Sequence, residues 1–345
     1  MTTHTQPETR PHQDASAYQG PTWRPRTLSS RDEIRQRTYW SARSSDSEYQ
    51  ALREVLLAPP DPGLPAPADP DAVQHVAPVD FALLHRQMLD LAACYRGLGV
   101  DVQLLDPPDP AAPCDCCRPD PPPYNLMFAR DLFFMTPQGA VVSRMASTVR
   151  AGEERHAARR LAELHVPILR TVGASATLEG ADVLWAAPDL ALVGTGNRTD
   201  AAGLRQATAT LTELGVRTAE IRLPRAVQHL LGLVQIVDRD LAVIRGDLAS
   251  ARTKDLLRGA GLDLAEIPES PEVAYRQAMN FVTVAPRTIV MAAGNPGTRT
   301  ALSAAGLHVA AEADISELLK AAGGIGCATA VLRRDTADPA EPRRP

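Results

Sequence analysis

The sequence lacks the features that mark several classes of protein. None of its apolar runs approaches the roughly 18 residues that a membrane-spanning helix needs, and the opening stretch, MTTHTQPETRPHQDAS, has no apolar core of the kind found in secretory signals. Lys and Arg number 36 against 41 Asp and Glu, for a net charge of -5, so the basic footprint of a nucleic-acid binder is missing. We therefore expect a cytoplasmic protein whose partners include neither a membrane nor a nucleic acid.

Cysteine is also scarce, with five residues in a chain of 345. An odd number of cysteines in a large chain fits reduced thiols better than a disulfide framework. Three of them, Cys114, Cys116 and Cys117, form the stretch CDCC in a proline-rich segment. This spacing is not a usual zinc pattern, and no fourth ligand stands nearby. We therefore expect no bound metal and no cofactor, and interpret CDCC as a loop with oxidation-prone thiols.

Apolar residues, in contrast, are plentiful at 44% of the chain, which is enough for a large core. Residues 1–50 and 335–345 are polar, contain proline and show no apolar periodicity, so we predict that they are disordered or loosely attached. Residues 51–334 are then predicted to form a single α/β domain.

Within this domain, short β-rich runs alternate with helical stretches. Runs such as LALVGTG and RTIVMAAG are typical of strands, whereas Leu84, Met88, Leu91 and Tyr95 recur at the spacing of one helix face. The elements form five strand, helix, strand units that share a pattern but no sequence identity, followed by a closing strand at 328–333. The units lie near 53–105, 127–171, 183–223, 233–268 and 281–310. The pattern alone predicts an α/β domain and leaves a doubly wound sheet open.

Several polar residues lie among apolar neighbours at the edges of these units. Arg130 and Asp131 would be costly to bury unpaired, so they should pair or face a cleft. Glu179 and Asp182 in LEGADVLW could cap a helix or bind a cation, and His229 stands in the apolar stretch QHLLGLVQIVD. Each also has a purely structural alternative. Arg130 and Asp131 could form an ion pair with each other, and Glu179 and Asp182 could cap a helix. His229 could be a buried histidine whose ring nitrogens are hydrogen-bonded within the protein.

Cys327 lies in the glycine-rich turn of GGIGCATAVLRR at 323–334. A lone cysteine there is either a small buried hydrophobe or a nucleophile, because the same surroundings suit both. A thiol, a histidine and several carboxylates together suit attack on a cationic, planar carbon. The carboxylates hold a guanidinium by charge-assisted hydrogen bonds, and the histidine moves protons.

Five motifs in order resemble the guanidine-modifying superfamily, which includes dimethylarginine dimethylaminohydrolases, arginine deiminases and amidinotransferases. They are ARD at 129–131, LEGADV at 178–183, HLLG at 229–232, MNFVTVAP at 279–286 and GGIGC at 323–327. The resemblance extends over about residues 50–334. It implies a five-bladed α/β propeller, or pentein, of pseudo-repeated strand-helix-strand modules around a central site for a small guanidino substrate. A homodimer is left open.

The resemblance also implies catalytic roles at matching positions. Cys327 looks like the nucleophile that forms a thiouronium-type adduct, and His229 looks like the general acid and base. Asp131 and Glu179 resemble the carboxylates that grip the guanidinium nitrogens. We therefore expect a hydrolase that converts arginine or an arginine derivative to a ureido product. An amidinotransferase and a non-catalytic binding protein are the alternatives.

Three further residues are expected to bind substrate. Arg150 and Arg198 fall where members similar to the dimethylarginine hydrolases hold the substrate's α-carboxylate, and Asp182 belongs to the acidic motif. The alternative for each arginine is an ordinary solvated side chain. Leu231 stands where deiminases and amidinotransferases usually carry an acidic residue, so the chain looks closer to the dimethylarginine hydrolase branch.

Overall fold

The computed structural model describes residues 14–106 and 122–336. These residues form five sheets of three strands each, one for each predicted unit, so the predicted five-bladed α/β propeller is confirmed. The strands are β1 (Leu52–Leu57), β2 (Asp101–Leu104), β3 (Phe133–Thr136), β4 (Gly139–Val142), β5 (Ile168–Thr171), β6 (Val183–Ala187), β7 (Leu190–Thr195), β8 (Arg217–Arg222), β9 (Val234–Asp238), β10 (Leu241–Arg245), β11 (Asp263–Ile267), β12 (Val282–Ala285), β13 (Thr288–Ala292), β14 (His308–Ala313) and β15 (Ala330–Arg334). The helices are α1 (Ser30–Gln36), α2 (Phe81–Gly97), α3 (Glu154–Glu163), α4 (Ala201–Glu213), α5 (Ala251–Gly259), α6 (Pro271–Tyr275), α7 (Pro296–Ala304), α8 (Ser316–Lys320) and α9 (Ile325–Ala328).

Four blades repeat one connection. In the second blade, β3 and β4 form an antiparallel hairpin, and helix α3 returns the chain so that β5 pairs parallel to β4. The blades β6-β7-β8, β9-β10-β11 and β12-β13-β14 follow the same order. In each of these blades the hairpin strands are largely buried and the third strand is partly exposed. The third strand is therefore the outer edge of the blade.

The first blade is closed by the two ends of the domain. The last strand, β15, pairs antiparallel with β1, and β1 pairs parallel with β2. Strand β15 is thus the innermost strand of the first blade, as β3, β6, β9 and β12 are in the other four. These five strands approach one another around the centre, since β15 contacts β3, β6 contacts β9 and β9 contacts β12.

Helix α2 shows how the sequence determines packing. Asp80 precedes the helix and its carboxylate accepts a hydrogen bond from the amide of Leu83, which satisfies one free donor of the first turn. The predicted face is confirmed, because Leu84, Met88, Leu91 and Tyr95 are all buried. Burial of such side chains supplies most of the stability of a helix in a folded protein.

The predicted division of the chain into a loose N-terminal segment, a domain and a tail stays a prediction. Within the first segment, residues near 44–48 lie against the blades. The carbonyl of Ser44 accepts a hydrogen bond from Arg334, Ser45 donates to Thr136, and Glu48 pairs with Arg130. The CDCC stretch lies outside the described residues. None of the helices in the described ranges is long and apolar enough to cross a membrane.

Candidate active site

Each blade contributes a polar residue at an equivalent place, directly before its innermost strand. Asp131 precedes β3, Glu179 precedes β6, His229 precedes β9, Asn280 precedes β12 and Cys327 precedes β15. Because the innermost strands surround the centre, the residues that lead into them converge there. Each of the five sequence motifs therefore contains the residue at this position of its own blade, and the five residues are arranged around the ring.

The glycines of GGIGC allow the turn that carries Cys327 to approach its neighbours. A Cβ atom on Gly323 would overlap the ring of Phe128, and one on Gly326 would lie 2.7 Å from Oδ1 of Asn280. Neither position has room for a side chain without movement of a packed residue. The glycine-rich setting is thus a packing requirement that brings Cys327, which is 7% exposed, up to Asn280.

Asn280 holds the cysteine by its amide group. Its Nδ2 donates to Sγ of Cys327 at 3.0 Å, and its Oδ1 accepts from the backbone amide of Cys327 at 3.1 Å. Sequence reasoning assigned no role to this residue, although it quoted the motif MNFVTVAP. The signal was available, since each of the other four motifs contains a candidate catalytic residue and Asn280 is the polar residue of the fourth motif, MNFVTVAP.

His229 lies between two carboxylates. Its Nε2 donates to Oε2 of Glu179 at 2.7 Å, and its Nδ1 is 3.8 Å from Oδ1 of Asp131. Burial lowers the pKa of His229, but Asp131, a hydrogen bond to Cys327 and Glu179 together raise this pKa well above its ordinary value. His229 is therefore held as an imidazolium, a proton donor next to the thiol.

Asp131 and Arg150 form a buried ion pair. Nη1 of Arg150 donates to Oδ2 of Asp131 at 2.5 Å, and Nε donates to Oε2 of Glu153 at 2.8 Å. The remaining Nη2 donates to the carbonyls of Asn125 and Phe128. This differs from the sequence expectation that Arg150 binds a substrate carboxylate, because protein acceptors already take its donors. Within the described ranges, Oδ1 of Asp131 is left without a hydrogen-bond donor.

Arg130, the neighbour of Asp131, turns away from it. Its Nη2 donates to Oε1 of Glu48 at 3.1 Å and to the carbonyl of Val183 at 3.1 Å. The suggested Arg130 to Asp131 ion pair is thus wrong. Adjacent residues on a tight turn point to different sides, which separates the two charges.

Glu179 lies behind His229. It is fully buried, with one oxygen on His229 and the other accepting from the amide of Ala146 at 3.1 Å. Burial raises the pKa of Glu179, but the hydrogen bond and charge of His229, with Arg150 and Arg198, lower it to about 2. The sequence expectation of a direct guanidinium contact differs from this placement, because both oxygens are occupied by protein donors.

Asp182 also forms its hydrogen bonds with groups of the protein. Its Oδ2 accepts from the hydroxyl of Thr199 at 2.6 Å, and its Oδ1 accepts from the amide of Leu230 at 2.9 Å. Burial raises the pKa of this carboxyl to about 7. The structure therefore places Asp182 as the residue that fixes the turn after His229, and its oxygens are not free for the substrate contact that the sequence suggested.

Arg198 forms an ion pair with Glu179, since its Nη1 is 3.7 Å from Oε1 of Glu179 and its side chain is 14% exposed. In the part of the chain that the structure describes, this Nη1 has no hydrogen-bond partner. The expectation that Arg198 binds a substrate carboxylate stays a prediction.

Two cavities meet at Cys327 and His229. A narrow one of about 20 Å³ also contacts Asp131, Arg150 and Arg198. A larger one of about 340 Å³ extends past Asn280 towards Gln277 and Tyr275. The narrow cavity has only the size of a water site, whereas the larger cavity leaves room for a small molecule beside Cys327.

Asp131, His229 and Cys327 are also a set of metal-ligating types, with one ligand atom of each within 4.8 Å of the others. Metal binding requires a neutral imidazole, whereas His229 is held protonated and Arg150 already neutralises Asp131. Both conditions disfavour a divalent metal at these three residues.

Comparisons with known proteins agree with this geometry. A family model described as arginine deiminase matches residues 120–259. An uncharacterised protein of Bacillus subtilis, YkgA, is 28% identical over 208 residues, covering 60% of this chain and 70% of that protein. The arginine deiminase of Rhodococcus erythropolis is 27% identical over 252 residues, and the match covers 63% of this chain and 61% of that enzyme. The chain thus spans less than two thirds of this deiminase.

Solved structures show the same fold. A dimethylarginine dimethylaminohydrolase from Pseudomonas aeruginosa, in complex with citrulline, has a TM-score of 0.64 at 20% identity and covers 82% of this chain and 100% of its own. An amidinotransferase from Microseira wollei has a TM-score of 0.68 at 15% identity, covering 86% of this chain and 98% of its own. Both of these structural neighbours are enzymes, and what this chain shares with them is the fold.

Proposed function

We propose that this protein is a guanidino-group hydrolase that acts on arginine or an arginine derivative through a covalent Cys327 adduct. The observation that carries the proposal is the convergence of Asp131, His229 and Cys327, whose polar atoms lie within 4.8 Å of one another. The unpartnered Oδ1 of Asp131 accepts from a guanidinium nitrogen, and the planar carbon then lies beside the sulfur.

The first half of the reaction forms the adduct. The Cys327 thiolate attacks the guanidinium carbon and a C–S bond forms, while Asn280 keeps the sulfur in place. One C–N bond breaks, and its nitrogen takes the proton of the His229 imidazolium and leaves as ammonia or an amine. Glu179 keeps the imidazole oriented through this transfer.

The second half releases the product. His229, now neutral, removes a proton from water, which attacks the adduct carbon. The C–S bond breaks, the thiolate returns and a ureido product leaves. Arg198 is the residue proposed to bind the α-carboxylate of the substrate, since its Nη1 is free of hydrogen bonds in the described ranges.

An amidinotransferase is the second candidate. The 340 Å³ cavity beside Cys327 has room for an acceptor amine in place of water, and a named amidinotransferase shares the fold. Both reactions pass through the same adduct and differ in the group that attacks it.

The test starts with mass spectrometry of the intact protein incubated with a panel of arginine analogues and a haloamidine. We expect an adduct on the wild type and on Cys94→Ser, a matched control at the other described free thiol, and none on Cys327→Ser. Equal labelling of Cys327→Ser contradicts the nucleophile assignment. In labelled water without added amine, oxygen incorporation into a ureido product supports the hydrolase, whereas an amine requirement supports the transferase.

A further inference from the structure

A second buried group of charges lies on the other side of the turn that carries Cys327. It surrounds a cavity of about 30 Å³ that the proposed reaction does not use. The lining includes Arg130, Arg334, Glu48 and Thr283, together with Gly326 close to the nucleophile. This small cavity, the axial cavity, is separate from the two cavities that reach the sulfur of Cys327.

The axial cavity has an excess of positive charge. Arg130 and Arg334 are only 7% and 3% exposed, and Glu48 is the single carboxylate among the lining residues. Glu48 pairs with Arg130 at 3.1 Å. Arg334 donates instead to two neutral carbonyls, those of Gln50 at 2.7 Å and Thr283 at 2.8 Å. One buried guanidinium thus lacks a counter-charge, which is costly unless an anion is present.

Two hydrogen-bond donors of the lining also lack partners. Nε of Arg334 and Oγ1 of Thr283 have no hydrogen-bond partner within residues 14–106 and 122–336. Thr283 is only 3% exposed, so bulk water does not satisfy its hydroxyl. Buried donors of this kind are normally satisfied by a protein group, a water or an ion.

We propose that the axial cavity binds one small monovalent inorganic anion, of which chloride is the common representative. The charge excess requires an anion, and the two unpartnered donors supply hydrogen bonds to it. A volume of about 30 Å³ exceeds the roughly 10–15 Å³ that one water molecule needs, so a single-atom ion fits in it.

The first experiment compares thermal unfolding in potassium chloride and in potassium gluconate at equal ionic strength. A ligand that binds only the folded state raises Tm, so we expect a rise of about 1.5–2 °C when chloride is at roughly five times its Kd. Thr283→Val removes one donor with little change of volume and should abolish most of this rise. Ser143→Ala is the matched control, because Ser143 is also buried with an unpartnered hydroxyl but lies outside the axial cavity; it should keep the full rise.

The second experiment is crystallographic. In crystals soaked in sodium bromide, we expect an anomalous difference peak between Arg334 and Thr283. A peak of this kind, with the loss of the chloride effect in Thr283→Val, supports the proposal. Equal Tm values in chloride and gluconate, or an axial cavity that contains water and no bromide, overturn it.

Discussion

Cys327 lies between two unlike surroundings. On one side Asp131, Arg150 and Arg198 line a narrow and highly charged cavity, whereas on the other side Asn280 and Gln277 present neutral amides to a larger one. The charged side keeps one carboxylate oxygen and one guanidinium nitrogen without a hydrogen-bond partner among its described residues. On the neutral side, the amide of Asn280 donates a hydrogen bond to the sulfur of Cys327. Under the proposed function, recognition of the cation and positioning of the nucleophile fall to different sides, so substitutions should affect them separately.

The largest effect is expected from His229→Ala, because His229 serves both sides. Loss of a general acid and base typically costs about 10²–10⁴-fold in rate. We expect kcat to fall by this amount, while a haloamidine still labels Cys327. Steady-state kinetics and intact mass spectrometry measure the two effects. Normal turnover by His229→Ala would remove this residue from the reaction.

A pH titration of stability examines Asp182, the buried carboxyl that holds the turn after His229. The pKa of Asp182 is raised from 3.8 to about 7, so the folded state keeps a proton that the unfolded state releases. Stability therefore falls as pH rises from about 4 to 7, and this carboxyl contributes on the order of 3 kcal/mol to the change. Urea unfolding across this range should show a flatter profile for Asp182→Asn than for the wild type. Parallel profiles would mean that Asp182 titrates normally.

Asp131→Asn should weaken recognition of the cation. A hydrogen bond to a charged group contributes about 1.5–3 kcal/mol, so kcat/KM should fall roughly 10- to 150-fold. Glu153→Gln is the matched control, since Glu153 shares Arg150 with Asp131 but does not line the cavity. It should reduce stability more than it reduces kcat/KM. Equal losses of kcat/KM would indicate that Asp131 acts only through Arg150.

Arg198→Ala should change substrate preference. If Arg198 binds an α-carboxylate, KM for arginine should rise about tenfold, the lower end for a charge-assisted bond, whereas KM for agmatine, which lacks this group, should not change. Kinetics with both compounds measure the difference. An equal rise in both KM values would assign Arg198 to another task.

The smallest effect is expected on the neutral side. Asn280→Ala removes two hydrogen bonds to Cys327, and a net loss of about 1 kcal/mol corresponds to roughly fivefold in rate. We expect a lower kcat with KM nearly unchanged, and slower alkylation of Cys327 at a fixed pH. A rise in KM with unchanged kcat would place Asn280 in substrate binding instead.

The repeated local pattern predicted five strand-helix-strand units, and the resemblance implied both the ring and four of the five residues that converge on its centre, but not Asn280. The sequence did not predict which side chains pair there. Arg150 and Arg198 looked equivalent, and only the fold shows that Asp131 and Glu153 both meet Arg150. Arg130 likewise pairs with Glu48, 82 positions away. Such partners depend on distances between blades, which no local pattern contains.

Closure of the ring by β15 also determines when the site is completed during synthesis. Asp131, Glu179, His229 and Asn280 all precede Cys327 in the chain, and β15 follows Cys327 and must pair with β1, the first strand of the domain. Translation proceeds from the N-terminus, so the other four residues leave the ribosome first. The nucleophile arrives last and is held in place only after the final strand emerges. A nascent chain that lacks β15 therefore carries no assembled site.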